Sequence, residues 1–225
     1  MHPRSRHLAP LALALAATLV LGACAPATQS AAFGADVDVH LDGARDYHPR
    51  QAGIQRTYQA EGDPGRYVVT EQGPTLRDGL TQFVSHGIGL GRETLSYRTH
   101  TDHGVFRLHD QHVSHTVTYD PPLQEYPATL AVGQRWGGTS RAAFTFPDKG
   151  LAHHDTIEYQ YAVVAERSVT INGRTYDAFV IDFTATQASD GARIDQQHWY
   201  APYVGVVRTV DQLYLTSTNL PGAPR

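Results

Sequence analysis

Three stretches of this chain alternate side chains with a period of two, and that periodicity limits its fold more than any other feature. Ile157, Tyr159, Tyr161 and Val163 alternate with Glu158, Gln160 and Ala162; Phe179, Ile181 and Phe183 alternate with Val180, Asp182 and Thr184; Val113, His115, Val117 and Tyr119 alternate with Ser114, Thr116 and Thr118. A period of two marks a strand with one buried face, and the β-branched and aromatic residues suit a pleated, half-buried surface. Asn172-Gly173, between Val169-Thr170-Ile171 and Arg174-Thr175-Tyr176, is a strong two-residue hairpin signal. Asp190-Gly191 makes a second, and Pro147-Asp148-Lys149-Gly150 a longer turn. No capped segment with helical spacing runs beyond about two turns. The pattern predicts an all-β protein: a single antiparallel β domain over residues 46–218, a curved or incompletely closed barrel or sandwich of about 10–12 strands.

The first 45 residues are of a different kind. Arg4 and Arg6 head an apolar run from Leu8 to Leu21, and Leu21-Gly22-Ala23-Cys24 closes it. A basic head, an apolar core of about 14 residues and small residues at a cut site form a secretory signal, too short for a spanning helix. Leu-Gly-Ala-Cys resembles the lipobox of bacterial lipoproteins. The resemblance implies removal of residues 1–23, lipidation of Cys24 with diacylglycerol and an N-acyl chain such as palmitate, and a membrane anchor on the cell envelope. Ala25 stands where inner-membrane retention signals often carry Asp, which in a two-membrane cell implies the outer membrane. Cys24 is the only cysteine, so no disulfide competes for it. Residues 24–45 are Ala-rich and polar without periodicity and read as a flexible tether. Residues 219–225, with Pro221 and Pro224, read as a frayed, disordered tail.

Loss of Arg4 and Arg6 leaves 16 of 18 basic residues against 22 acidic, a net charge of −6, and Lys149 is the only lysine. Such a chain has no basic footprint, so nucleic acid is not an expected partner. Gly-x-Ser-x-Gly, phosphate-loop and His-Glu-x-x-His motifs are missing from the sequence. Gly87-Ile88-Gly89-Leu90-Gly91 lacks the lysine of a phosphate loop and reads as a bend.

Asp46-Tyr47-His48-Pro49 with Gly53 and Thr57-Tyr58, Leu130-Ala131-Val132-Gly133-Gln134-Arg135-Trp136, and Trp199-Tyr200-Ala201-Pro202-Tyr203-Val204-Gly205-Val206-Val207-Arg208 are short landmarks at both ends of the body. In these the chain resembles half-barrel bacterial envelope lipoproteins of uncharacterised function. That resemblance implies a curved antiparallel barrel similar to periplasmic lipoprotein carriers, and it implies no reaction. Trp136 and Trp199 read as core staples.

Histidine is the unusual chemistry. Thirteen occur, and His100, His103, His109, His112 and His115 fall within 16 residues, with His153-His154 further on. Imidazole suits copper and zinc, and an exported chain without free thiols must rely on it. A general preference for His and Arg over Lys explains the same count. With Thr101-Asp102 and Asp110-Gln111 as tight turns, Leu95, Tyr97, Phe106, Leu108 and Val113 share an apolar face, while Arg98, Arg107, Ser114 and Thr116 share a polar one. His100 then faces His103, and His109 faces His112, each pair with Cβ atoms about 5 Å apart and able to clamp a metal. The pairs lie about 20 Å apart at ~3.3 Å per residue, so one shared ion would need a different loop path. Further ligands would come from Asp102, Asp110, His153 or His154. His115 falls on the apolar face, opposite Phe106.

Two functions are consistent with the sequence. One is a lipid-anchored, surface-exposed envelope metalloprotein binding copper or zinc through His100, His103, His109 and His112; as an enzyme it would be a copper-dependent oxidoreductase acting on superoxide, like a superoxide dismutase. The chain lacks the paired cysteines and His-x-His signature of copper-zinc dismutases. The other is a non-catalytic envelope lipoprotein, a half-barrel carrier of an apolar ligand or a structural subunit of an envelope protein assembly; its twelve tyrosines suit a cavity or an interface.

Overall fold

The structure, a computed structural model, describes residues 48–77, 79–171 and 173–220. The signal, Cys24, the tether, Asp46-Tyr47 and the tail from Pro221 lie outside the described residues. Among the described residues there are twelve strands: β1 Gln55–Gln59, β2 Tyr67–Arg77, β3 Leu80–Gly89, β4 Arg92–Thr101, β5 Gly104–His112, β6 Thr116–Pro127, β7 Arg135–Phe146, β8 Leu151–Ile171, β9 Arg174–Gln187, β10 Arg193–Ala201, β11 Gly205–Arg208 and β12 Tyr214–Thr218. Each pairs with its sequence neighbours, and β1 pairs with β12, giving a closed antiparallel barrel. The all-β antiparallel expectation holds at the upper end of its strand count; the sheet closes fully and is not the curved or incompletely closed one expected.

Pairs Arg56↔Thr218 and Gln59↔Tyr214 bound the closing seam. The Asn219 side chain fastens it, accepting from the Gln55 amide at 2.6 Å and donating to the Gly53 carbonyl at 2.9 Å. Order thus extends past residue 218, and closure leaves the sheet without a terminal strand.

The period-two segments build the thickest wall. Ile157, Tyr159, Tyr161 and Val163 of β8 and Phe179 and Ile181 of β9 join Val105, Leu123, Tyr126 and Tyr200 in the main core. A second cluster gathers Tyr58, Val169, Ile171, Ala178, Val204, Val207 and Leu215. Ala178 neighbours Phe179 on one strand, so the two clusters lie on opposite faces of β9. Trp136 is half-buried against the first cluster, stacked on Tyr161 at 5.2 Å, and Trp199 is half-buried against the second. Outward-facing Thr139, Arg141, Glu158 and Gln160 give β7 and β8 an exposed polar side. No helix among the described residues is long and apolar enough to cross a membrane.

Turn chemistry follows the sequence at two sites. Ile171 pairs with Arg174 across a two-residue loop, with Gly173 at φ 75°; Asn172 itself lies outside the described residues. Pro147–Lys149 forms one 3-10 turn that ends in left-handed Gly150. Asp190-Gly191 instead sits in a wider loop, where the Gln187 amide donates to the Ala192 carbonyl and Asp190 accepts from the Ala192 amide.

The histidine-rich segment departs from the expected meander. Its first turn is Asp102-His103, and the second is not at Asp110-Gln111: β5 continues to His112, whose amide donates to the His115 carbonyl at 2.8 Å. Register breaks at Tyr97/Arg98 and again at Arg107/His109. Tyr97 therefore pairs with His109, and Leu95 with Gln111. Val105 is fully buried in the main core, so alternation turns Phe106 away and carries Arg107 inward. The arginines expected on the polar outer side lie inside.

Candidate functional site: a charged network and an imidazole cluster inside the barrel

Strands β2 to β6 place a balanced set of charges inside the barrel. Arg98 and Arg107 are register partners on β4 and β5, a like-charge opposition that is unfavourable by itself. Glu125 resolves it. The β6 bulge skips Glu125 between the pairs Val105↔Tyr126 and Phe106↔Gln124, and bulges of this kind re-aim a side chain. Its carboxylate accepts from Arg98 Nε at 2.5 Å and Nη2 at 3.3 Å, and from Arg107 Nη2. Arg107 also pairs with Asp110 at 3.5 Å, and the Tyr119 hydroxyl donates to Asp110 at 3.4 Å.

Ser85 extends the network. Its hydroxyl accepts from Arg98 Nη1 at 3.2 Å and donates to Glu71 Oε2 at 2.7 Å, while Arg56 Nη2 donates to the other Glu71 oxygen. Three guanidiniums, Arg56, Arg98 and Arg107, thus meet three carboxylates, Glu71, Asp110 and Glu125, and the ensemble is neutral. Burial alone pushes the Glu125 carboxyl up, but the Arg107 and Arg98 guanidiniums override it and hold Glu125 well below the usual carboxylate range. Burial also raises the Tyr126 and Tyr161 phenols, which stay protonated.

Two members have idle polar atoms. Arg107 Nε and Asp110 Oδ1 are buried and bonded to nothing among the described residues. The Arg107 side chain nevertheless keeps 28% exposure, against 8% for Asp110 and 7% for Glu125, so solvent reaches the network on the arginine's side.

An aromatic and imidazole cluster fills the mouth at which the described chain begins. His48 precedes β1; His100 ends β4, and Phe83, Tyr126 and Tyr200 come from the β3 start and the β6 and β10 ends. The His48 and His100 rings lie 5.0 Å apart at 63°, and Phe83 lies 4.4 Å from His100. His48 Nδ1 is 3.1 Å from the Tyr200 hydroxyl. His198 Nε2 is 3.2 Å from the Tyr126 hydroxyl. Burial drives all three imidazoles toward neutrality, His100 down to about 3 and His198 to about 4, with His48 lowered by burial and then by His100.

The four histidines named as metal ligands are dispersed. His100 points into the barrel opposite Val105 in register, and His103 is exposed in the following turn. His109 pairs with Tyr97 and stacks on it at 4.0 Å. His112, three residues on and so on the other face, stacks with His115 at 4.6 Å and meets the Thr94 hydroxyl. Neither expected cross-strand pair forms; His100 meets His48 instead, and His112 meets His115. His153 and His154 are exposed neighbours on β8. Among the described residues no three His, Cys, Asp or Glu side chains converge as a metal site. Sequence reasoning missed Glu125 altogether, placed Arg98 and Arg107 only on a polar strand face and read His48 only as part of a landmark; the available signal was the set of charged residues interrupting strand patterns.

Comparison with protein families found no match, comparison with curated proteins found none, and comparison with solved structures found none.

Proposed function

We propose that the protein is an exported, lipid-anchored, non-catalytic barrel that binds a small ligand in its interior. The supporting observation lies in the charged network: a donor, Arg107 Nε, and an acceptor, Asp110 Oδ1, are both buried without hydrogen-bond partners among the described residues, beside a guanidinium that solvent still reaches. Buried polar atoms left unmade cost about 1–3 kcal/mol each, so a bound molecule that meets both is favoured. The neutrality of the network disfavours an ionic ligand, because any added charge would lie in low dielectric without a counter-ion. Tyr119 and Tyr161 are near enough to Arg107 to interact with its charge and supply aromatic surface. The ligand class is therefore a small, uncharged, partly aromatic molecule carrying one donor and one acceptor. The Cys24 anchor would hold this barrel at the envelope surface, as expected of a carrier.

Protein released from membranes with detergent, then denatured, should yield a small molecule by mass spectrometry, and the Asp110→Ala protein should yield none. The reading fails if wild-type protein carries no ligand and a small-molecule extract of the host leaves Trp136 fluorescence unchanged, since Trp136 stacks on Tyr161 in the same wall.

A further inference from the structure

We propose that the end of the barrel at which the described chain begins is a docking surface for an anionic lipid bilayer. Such docking rests on the lipid-anchored reading for what brings the chain to a membrane; the surface itself belongs to the barrel. Ringing this end are the β2–β3, β4–β5, β6–β7, β8–β9 and β10–β11 connections and the β1–β12 seam. Alternate connections expose apolar side chains: Leu76 (74%) and Leu80 at β2–β3, Val132 (53%) at β6–β7 and Tyr203 at β10–β11. Singly exposed apolar residues are ordinary. Here the tips stand evenly round a closed ring, and three separated points set a plane. The longer β8–β9 hairpin between two of them bends aside: its Val169 and Ile171 are buried in the cluster of Val204, Val207 and Leu215, and β8 meets β12.

Charge selects the occupant. Exposed Arg77 adjoins Leu76, exposed Arg135 follows the Val132 loop, and half-buried Arg50 stands beside the seam. Arg50 and Arg135 make no ion pair among the described residues. Asp102 is the acidic residue of these described tips, and Asp177, back along the β8–β9 hairpin, accepts from the Ser168 hydroxyl at 3.0 Å. The opposite end also exposes Leu90, Val113 and Val210. Those share their end with Glu61, Asp63, Glu93, Asp148 and Asp190, while its Arg92 and Arg193 are already paired with Asp211 and Asp195. An anionic surface therefore attracts the first end and repels the second.

Two further features favour a bilayer over a protein. A tyrosine such as Tyr203, with an apolar ring and a polar tip, suits the boundary between headgroups and acyl chains. A second copy joined through this face by a two-fold axis would bring the same arginines together, a like-charge contact. Position agrees with charge, because the chain from Cys24 enters the barrel at His48, so an anchor there would draw this end toward the membrane. Leucine and valine tips with arginines between them are the composition of a surface that lies on a membrane without crossing it.

The test is quenching of tryptophan by brominated phospholipid in the full chain, reconstituted in phosphatidylcholine vesicles with or without phosphatidylglycerol. With phosphatidylglycerol, Val132→Trp should add at least about twofold more quenched emission than Val113→Trp adds at the other end. That excess should be lost in vesicles without phosphatidylglycerol and at about 1 M salt, comparisons that need no further variant. Arg50→Glu/Arg135→Glu in the Val132→Trp chain should remove it as well. Equal quenching at the two ends, greater quenching at Val113→Trp, or an excess indifferent to lipid charge and salt would each overturn the docking surface. Concentration-dependent self-association that Leu80→Ser/Val132→Ser abolishes would overturn it too, in favour of a second copy. A membrane-bound chain whose Val132→Trp emission is unquenched sinks the docking and leaves the anchor standing, whereas a chain that binds neither kind of vesicle sinks both. Ligand recovery from wild type and its loss in Asp110→Ala are read separately and do not depend on either result.

Discussion

At the scale of single residues, Glu125 matters because two guanidiniums converge on it from adjacent strands. Glu125→Gln preserves shape but leaves Arg98 and Arg107 opposed without their anion, and breaking a buried pair this way costs about 3–5 kcal/mol. Urea unfolding measures it; a loss under about 1 kcal/mol would mean that the arginines find other partners. His198 gives stability a pH dependence of definite sign. Its folded pKa is lowered, by burial first, from 6.5 to about 4, so below pH 6.5 the unfolded chain binds a proton that the folded one refuses. That contribution is complete above pH 6.5 and is lost as pH falls toward 4, amounting to about 2 kcal/mol by pH 5. His198→Gln should flatten the fall in unfolding free energy between pH 7 and pH 5 by that amount; an unchanged slope would assign the acid lability to other groups. These residues were hard to read in sequence for one physical reason. An arginine in a strand reads as solvent-facing until its counter-charge is located, and Glu125 is 18 residues from Arg107 and 27 from Arg98.

Strands and turns were more legible, because period-two burial and the Asn172-Gly173 turn are local properties. Ile157 to Val163 alternate as the pattern required. The failure is equally specific. One extra residue opposite Tyr97/Arg98 and another break at Arg107/His109 shifted the pairing, and a one-residue shift transfers every later side chain to the other face. Such bulges arise from packing and have no fixed sequence mark; the histidine pairs failed earlier still, because the turns fall at Asp102-His103 and beyond His112 and not at Thr101-Asp102 and Asp110-Gln111. Gly104 and Gly173 allow a test at this scale. Gly173 has φ 75° and open space around a built Cβ, so Gly173→Ala should cost only the left-handed penalty, about 1–2 kcal/mol. Gly104 has φ 136°, and a Cβ there would fall 2.1 Å from the Tyr126 carbonyl oxygen. Gly104→Ala must therefore push β5 from β6 beside Glu125, and its loss in thermal unfolding should clearly exceed that of Gly173→Ala. Equal losses would show that this junction yields freely.

For the whole molecule, the expected lipid anchor and the barrel can be tested apart. Cys24→Ser should leave the chain unprocessed or free of the membrane, and fatty-acid labelling should mark the native protein and miss the variant; a native protein that is membrane-bound yet unlabelled would remove the lipid anchor. The barrel should melt alike in both. The seam between β1 and β12 has a further consequence for how this protein comes into being. Its first strand waits for β12, Tyr214–Thr218, the strand of the barrel made after all the others, and its long-range pairings favour slow closure. Until then each partial product exposes two raw strand borders that invite neighbouring copies to join. A ribosome that stalls before β12 therefore leaves a sticky ribbon, and closure of this barrel is all-or-none.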